Sequence, residues 1–348
     1  MSGSKKNIFR HELTPQFAEA ARHKKPGSDM AKLLHITEAV RSEIIMPASK
    51  KLDEIVIEVK ETGDGRQAAE KTFSIKTDHE CEALVERKLK ELFPDALVVG
   101  EERFGIASLQ EKIAYIEEIK KTERDVFLVD ALDGTRDFRT GGDGHSVIIV
   151  RVKKGEVVAT VVHRNTDHAD IEGTGHTITF EKGDGVRING RKVKPLSERS
   201  FPSDPKIIRG YACYAVLRGD FDAAKDPARL RLAFDSLSDA WTCATMYTDL
   251  LKGQHHFMLV DPPADMFDYP SGMALIKAAG GVARFMDGKE ASVAELLKRQ
   301  AYGKNNTDKL SDILVLAVSE EVFTAVQKTV LANAQAPQFK KSPLKKAL

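Results

Sequence analysis

The stretch "FLVDALDGTRDF", residues 127 to 138, constrains this chain more than any other. Phe127, Leu128 and Val129 form an apolar run set against acids and a Gly-Thr pair, the pattern of a buried strand that stops at a tight turn. Asp130 and Asp133 therefore emerge where strand gives way to turn. Two carboxylates crowded there repel each other unless a cation lies between them, so the fold must bring in a partner. The pattern recurs: "ALVVGEE" ends on Glu101 and Glu102, and Asp265 and Asp268 precede the Pro-led run "PSGMALIKAAGG". Carboxylates delivered by separate strand ends and a helix start can converge on one point, and hard oxygen donors of this kind suit Mg²⁺ or Mn²⁺. Gly134 lets the backbone turn sharply, and its N–H with that of Thr135 can form a small nest for phosphate oxygens.

The rest of the chain supplies a setting for those acids. From Asp29 to about Met46, Leu33, Ile36, Val40 and Ile44 recur at helical spacing, and Cys81, Leu84, Val85, Leu89 and Leu92 do so again after a Thr77/Glu80 capping-box signature. Asp78 then sits in a helix's first turn. "HSVIIVRVKKGEVVATVVH" reads as two strands joined at "KKGE". After the turn-rich "GDGVRINGRKVKPLS" come a strand near "KIIRGY", a helix from about Ser236 to Leu251, strand "HHFMLV", a helix from Pro270 to Ala279, strands "GVARFM" and "DILVLAV", and the helix "EEVFTAVQKTVLANA". Sheets covered by helices follow, an α/β layered fold. The expected organisation is a mobile segment over 1–28, an α+β subdomain over 29–200, a second α/β subdomain over 201–333 and a basic tail over 334–348.

Composition excludes several classes. With 53 basic and 52 acidic residues the net charge is +1, so no global field attracts nucleic acid or an anionic membrane. Cys81, Cys213 and Cys243 lack the spacing of a zinc site or disulfide framework, which fits a reducing cytoplasm. No run approaches the roughly 20 apolar residues of a membrane span. Nor does the start of the chain carry an apolar signal core.

Four motifs in order, "GEE" at 100–102, "DALDGT" at 130–135, "KGDGVRING" at 182–190 and "FDYPSGMALIKAAGG" at 267–281, together resemble the inositol monophosphatase family. The resemblance spans about Met30 to Val330. It implies a lithium-sensitive, Mg²⁺-dependent phosphatase with alternating α-β-α-β-α layers that acts as a homodimer on a small phosphorylated metabolite. It further implies that Glu101, Asp130 and the Leu132 carbonyl hold a first ion, and that Asp130, Asp133 and Asp268 hold a second, with Asp130 bridging. Thr135, polarised through Asp78, would orient or deprotonate the attacking water, with Glu101 helping through a third ion or a water. The Gly134 and Thr135 amides would hold the phosphate, and Asp261 and Thr242 would contact substrate. The stretch from Ile57 to Thr77 falls where the family has a mobile flap.

The chain departs from that pattern at Ala131, where proline is usual, at Phe267 in place of tryptophan, and at Tyr269-Pro270-Ser271. The ligands survive these changes, while the pocket beside Asp268 can differ in shape. Substrate choice stays open among inositol monophosphate, 3'-phosphoadenosine 5'-phosphate, fructose 1,6-bisphosphate and histidinol phosphate. A module of another class, binding metal or a regulatory partner without turnover, is the competing reading. Any one of these aspartates alone is equally a turn former or helix cap. A calcium loop would want its glycine sixth rather than fifth, and an aspartyl-phosphate enzyme would want its aspartates separated by one residue rather than two. His145 reads as a hydrogen-bonded structural residue, His163, His168, His176, His255 and His256 as solvated or satisfied, Cys243 as packed rather than nucleophilic, and Trp241 as core.

Overall fold

The structure is a computed structural model. It describes residues 19–22, 24–52, 57–59, 73–142, 144–164, 177–212, 234, 236–239, 242–260, 267–302 and 310–335. Helix α1 (Asp29–Val40) is capped by the Ser28 side chain, which accepts from Ala31 N, and continues through a π-helical turn (Arg41–Ile45) into Met46–Ser49. Two short strands, β1 (Ile57–Val59) and β2 (Phe73–Ile75), pair antiparallel at the two ends of the expected flap. They lead into α2 (Lys76–Leu92). There the expected capping box is not formed. The helix starts ahead of Thr77, and Glu80 instead pairs with Lys76 at 3.2 Å, the ordinary i,i+4 partner once both residues are helical.

A seven-stranded sheet follows in strand order: β3 (Leu97–Gly100), β4 (Val126–Asp133), β5 (Ser146–Lys153), β6 (Glu156–Arg164), β7 (Thr177–Glu181), β8 (Gly185–Ile188) and β9 (Arg191–Lys192). Only β3 and β4 are parallel, joined through α3 (Glu101–Ile106) and α4 (Leu109–Lys121). The β8–β9 hairpin turns at Asn189 and Gly190, both with positive φ, as a two-residue type I′ connection requires. A five-stranded mixed sheet has the order β11 (Ser236–Asp239), β10 (Arg209–Ala212), β12 (Phe257–Val260), β14 (Leu314–Ala317) and β13 (Val282–Phe285). Between the sheets lie α6 (Cys243–Lys252) and α7 (Tyr269–Ala278); α5 (Thr135–Arg139) is a single turn after β4. Helix α8 (Val293–Tyr302) packs against α4 and α7, and α9 (Glu320–Gln335) covers the far side, lying on β12 and β14. The layers thus alternate α-β-α-β-α.

Strand parity explains the sandwich. Phe127 and Val129 on β4, Val147 and Ile149 on β5, and Ala159 and Val161 on β6 pack with Leu33, Leu34, Ile36 and Val85 of α1 and α2. Leu128, Ile148, Val150 and Val162 face the other way, toward Met246, Tyr247, Leu250 and Leu275 of α6 and α7. Burying each such side chain stabilises by about 1.5–3 kcal/mol, so a sheet apolar on both faces needs a helical layer on each.

Three expectations change. The chain from Ser236 is not helical throughout: Ser236–Asp239 forms β11, parallel to β10, and the helix begins only at Cys243. The packed fold also starts ahead of residue 29. Ala20 is fully buried, Lys24 bonds both Glu181 and Asp184 at 2.7 Å, and a Cβ on Gly190 would collide with the Glu19 carbonyl. Finally, α4 adds a helix beyond the expected elements, with its Ser108/Glu111 capping box fully formed. The basic tail from residue 336 onward, Trp241 and Cys213 lie outside the described residues.

Candidate active site

The acids converge because of how β4 ends. In a regular strand Asp130 and Asp133, three residues apart, would point to opposite faces. The pairing of β4 with β5 shifts register between them, and Ala131 and Leu132 both enter the core shared with α1 and α2. That bulge returns Asp133 to the face of Asp130, toward the middle helices. Asp133 Oδ2 accepts from Ser146 Oγ at 2.7 Å and from the Cys243 N–H, at the start of α6, at 3.0 Å. Asp130 Oδ1 accepts from the Leu132 N–H at 3.0 Å, an Asx-type turn that fixes its side chain.

Asp268 arrives from the other half of the chain as the N-cap of α7. Its carbonyl accepts from Tyr247 Oη at 3.1 Å and Ser271 Oγ at 2.5 Å. Gly272 is required by space, since a Cβ there would meet the Tyr247 ring. Carboxylate oxygens of Asp133 and Asp268 and the Cys243 sulfur all lie within 4.8 Å of one another. Gly100 pairs with Val129 in the β3–β4 register, which puts Glu101 alongside Asp130. Burial, then Glu101, Asp268 and Asp133, push the Asp130 carboxyl well above the usual carboxylate range. Burial, then Asp268 and Asp133, likewise raise the Cys243 thiol, so it stays a neutral S–H. Asp130, Asp133 and Asp268 are 5%, 8% and 3% exposed, and three acids so shielded fit a hard divalent cation held by oxygen.

Beside this cluster Gly134 adopts φ +81°, ψ 34°, where a Cβ would also press on Thr242 Cγ2 at 3.0 Å. Both the backbone and the space select glycine. Thr135 Oγ1 lies 3.1 Å from Asp78 Oδ1 and 3.2 Å from the Leu132 carbonyl. Helix α2 thus reaches the turn after β4 through Asp78. Thr242 is buried, its methyl against Gly134 and its hydroxyl 3.2 Å from Thr245 Oγ1. Asp261 lies outside the described residues.

The sequence model of the inositol monophosphatase family matches residues 29–322. The chain belongs to that family. It is a phosphatase of the inositol monophosphatase superfamily. A curated relative, the fructose-1,6-bisphosphatase/inositol-1-monophosphatase of Thermotoga maritima, is 25% identical over 250 residues, covering 70% of this chain and 82% of its own. Among solved structures, the extragenic suppressor protein SuhB of Bartonella henselae superposes with TM-score 0.62 at 15% identity, covering 86% of this chain and 97% of its own. The Thermotoga maritima IMPase superposes with TM-score 0.61 at 20% identity, over 89% and 100%. At those identities the likeness establishes the shared fold.

Several residues that shape this family member's site carry no local signal. Ser146 and Tyr247 bond the acidic cluster from β5 and α6, and Glu82 bonds the start of α3. Only tertiary pairing identifies them. His145 Nδ1 lies 3.2 Å from the Gly142 carbonyl and its ring meets Phe138 edge-on, while His163 Nδ1 lies 2.8 Å from Thr177 Oγ1. Both make the structural contacts expected of them.

Proposed function

We propose that the chain hydrolyses a phosphate monoester with Mg²⁺, as an inositol-1-monophosphatase-like enzyme. One observation carries this reading: Asp130, Asp133 and Asp268, from a bulged strand end and a helix start, crowd together beside a left-handed Gly134 turn and the Thr135–Asp78 pair. Asp130, Asp133, Asp268, Glu101 and the Leu132 carbonyl would hold the cation. When bound, Mg²⁺ supplies Lewis-acid stabilisation of charge on the phosphoryl oxygens and makes water a stronger nucleophile.

The remaining roles belong to the chain itself. The Gly134 and Thr135 amides grip the phosphate, and the α5 turn behind them is closed by Phe138 N–H donating to the Gly134 carbonyl at 2.9 Å. Thr135 Oγ1, its proton directed to Asp78, accepts from the attacking water and orients it in line with the ester oxygen. Asp78 receives that proton through Thr135, its burial keeps bulk water from competing, and as the new P–O bond forms the ester P–O bond breaks and the departing alkoxide takes a proton from solvent. Phe267, next to Asp268 in the chain, packs edge-on against Phe104 with centroids 5.4 Å apart and belongs to the buried core that supports Asp268.

The test is phosphate release from inositol 1-phosphate, fructose 1,6-bisphosphate, 3'-phosphoadenosine 5'-phosphate and histidinol phosphate, with Mg²⁺ and with added Li⁺. Mg²⁺-dependent, Li⁺-suppressed turnover of the inositol ester is expected. The bifunctional name of the Thermotoga relative makes fructose 1,6-bisphosphate the second substrate to score. Inactivity on every ester, with Mn²⁺ still bound, would favour a non-catalytic module.

A further inference from the structure

Glu82 stands one turn beyond Asp78 on α2, on the same helical face. Its Oε2 accepts from the Glu102 N–H at 2.9 Å and its Oε1 from the Arg103 N–H at 3.3 Å. These are early amides of α3, donors that a helix ordinarily satisfies with the side chain of its own N-cap residue. The N-cap here is Gly100, which has none. Its φ of −91° makes no demand for glycine, but a Cβ on Gly100 would fall where the Glu82 carboxylate lies, so the two side chains exclude each other there. A carboxylate from another helix occupies the place of the missing cap.

We propose that Glu82 is a positioning residue which, by capping α3 from outside, fixes the direction of Glu101 and so sets the affinity of the acidic cluster for a divalent cation. The inference rests on the reading of that cluster as a cation site. Glu101 is the first residue of α3, and the β3–β4 register brings it beside Asp130. A first turn free to unwind would carry Glu101 away. Helix α2 is itself anchored by fully buried Cys81, Val85 and Leu89, so it does not yield in place of α3. One rigid helix therefore holds two parts of the site, Thr135 through Asp78 and Glu101 through Glu82.

The test measures Mn²⁺ binding by the electron paramagnetic resonance of free Mn²⁺, with kcat at saturating Mg²⁺ and the melting temperature in EDTA as controls. Glu82→Ala should weaken Mn²⁺ binding about tenfold while kcat at saturation falls by less than about threefold. Gly100→Ser alone should keep binding within about threefold of wild type, because its side chain moves the flexible Glu82 carboxylate aside and caps the helix in its place. Combining the two should restore affinity to within about threefold of wild type, since serine then caps the helix from within. Glu82→Gln, which keeps one acceptor oxygen, should fall between, and it carries the test if Glu82→Ala does not fold. Unchanged Mn²⁺ affinity in the folded Glu82 variants, or a double variant no better than Glu82→Ala, overturns the inference and leaves the reading of the cluster intact. A wild type that binds no Mn²⁺ overturns both.

Discussion

Replacing Asp130 by asparagine should make the metal-free protein more stable. Asp130 is buried among Glu101, Asp133 and Asp268, and its side chain lies within hydrogen-bond reach of Asp268. Like charges about 5 Å apart repel by about 3 kcal/mol at an effective dielectric of about 20. Burial and these neighbours raise the Asp130 carboxyl well above its usual range, so the folded state holds its proton more tightly than the unfolded chain does. Asparagine has the shape of the protonated acid, accepts from the Leu132 N–H through Oδ1 and donates to Asp268 through its amide. A gain of about 2–4 kcal/mol follows, or roughly 4–8 °C in Tm at about 2 °C per kcal/mol for some 250 described residues. The sign fixes the pH dependence. A carboxyl whose folded pKa is raised binds more protons folded than unfolded, so stability falls as pH rises above about 4. The advantage of Asp130→Asn should therefore shrink to about 2 °C or less at pH 5. Differential scanning calorimetry in EDTA at the two pH values measures it, and adding Mg²⁺ should raise the wild-type Tm but not that of the variant. A variant melting at or below wild type at pH 7.5, or with an advantage independent of pH, would refute the crowding of charge at this site.

Thr135→Ala should lower kcat by about 10²-fold with a smaller loss of Mn²⁺ affinity, whereas equal losses would make Thr135 structural. Tyr247→Phe removes the donor to the Asp268 carbonyl, and chemical denaturation should show a loss of about 1 kcal/mol; no change would mean that α7 does not depend on it. Arg187 first, then Lys24, hold the Asp184 carboxyl below its usual range. A depressed carboxyl contributes stability that is present above its unfolded pKa and lost as pH falls through the folded value. Asp184→Asn should therefore lie below wild type in Tm at pH 7, with the gap beginning to narrow as pH falls below about 4, in thermal melts followed by circular dichroism. Parallel curves would discount the pairing.

Much of the site could be read locally because its residues interrupt apolar runs. Asp130, Asp133 and Gly134 stand directly against Phe127–Val129, and Asp268 directly before a Pro-led helix, where charge is costly without a purpose. The layering was legible for the same reason, since strands apolar on both faces require cover on both. What escaped is whatever depends on a partner far away in the chain. Among the described residues β11 is an edge strand paired with β10 alone, and the apolar spacing from Leu237 to Leu251 resembles a helix until that pairing is known. Glu82 looks like one more surface acid in a charged helix, and its meaning lies in a glycine 18 positions later. Lys24 belongs to a polar stretch, yet its side chain is only 7% exposed because Glu181 and Asp184 close over it.

The distance in sequence between the acids on β4 and the one that opens α7 gives the site a clock. Asp268 follows Asp133 by about 135 residues, which the ribosome takes about 7–27 s to add. For that interval a growing chain carries two aspartates with their third member not yet made, and every truncated product that stops short of α7 leaves them so. On the proposed reading, tight capture of a divalent ion would mark the chains in which α7 has been made and packed.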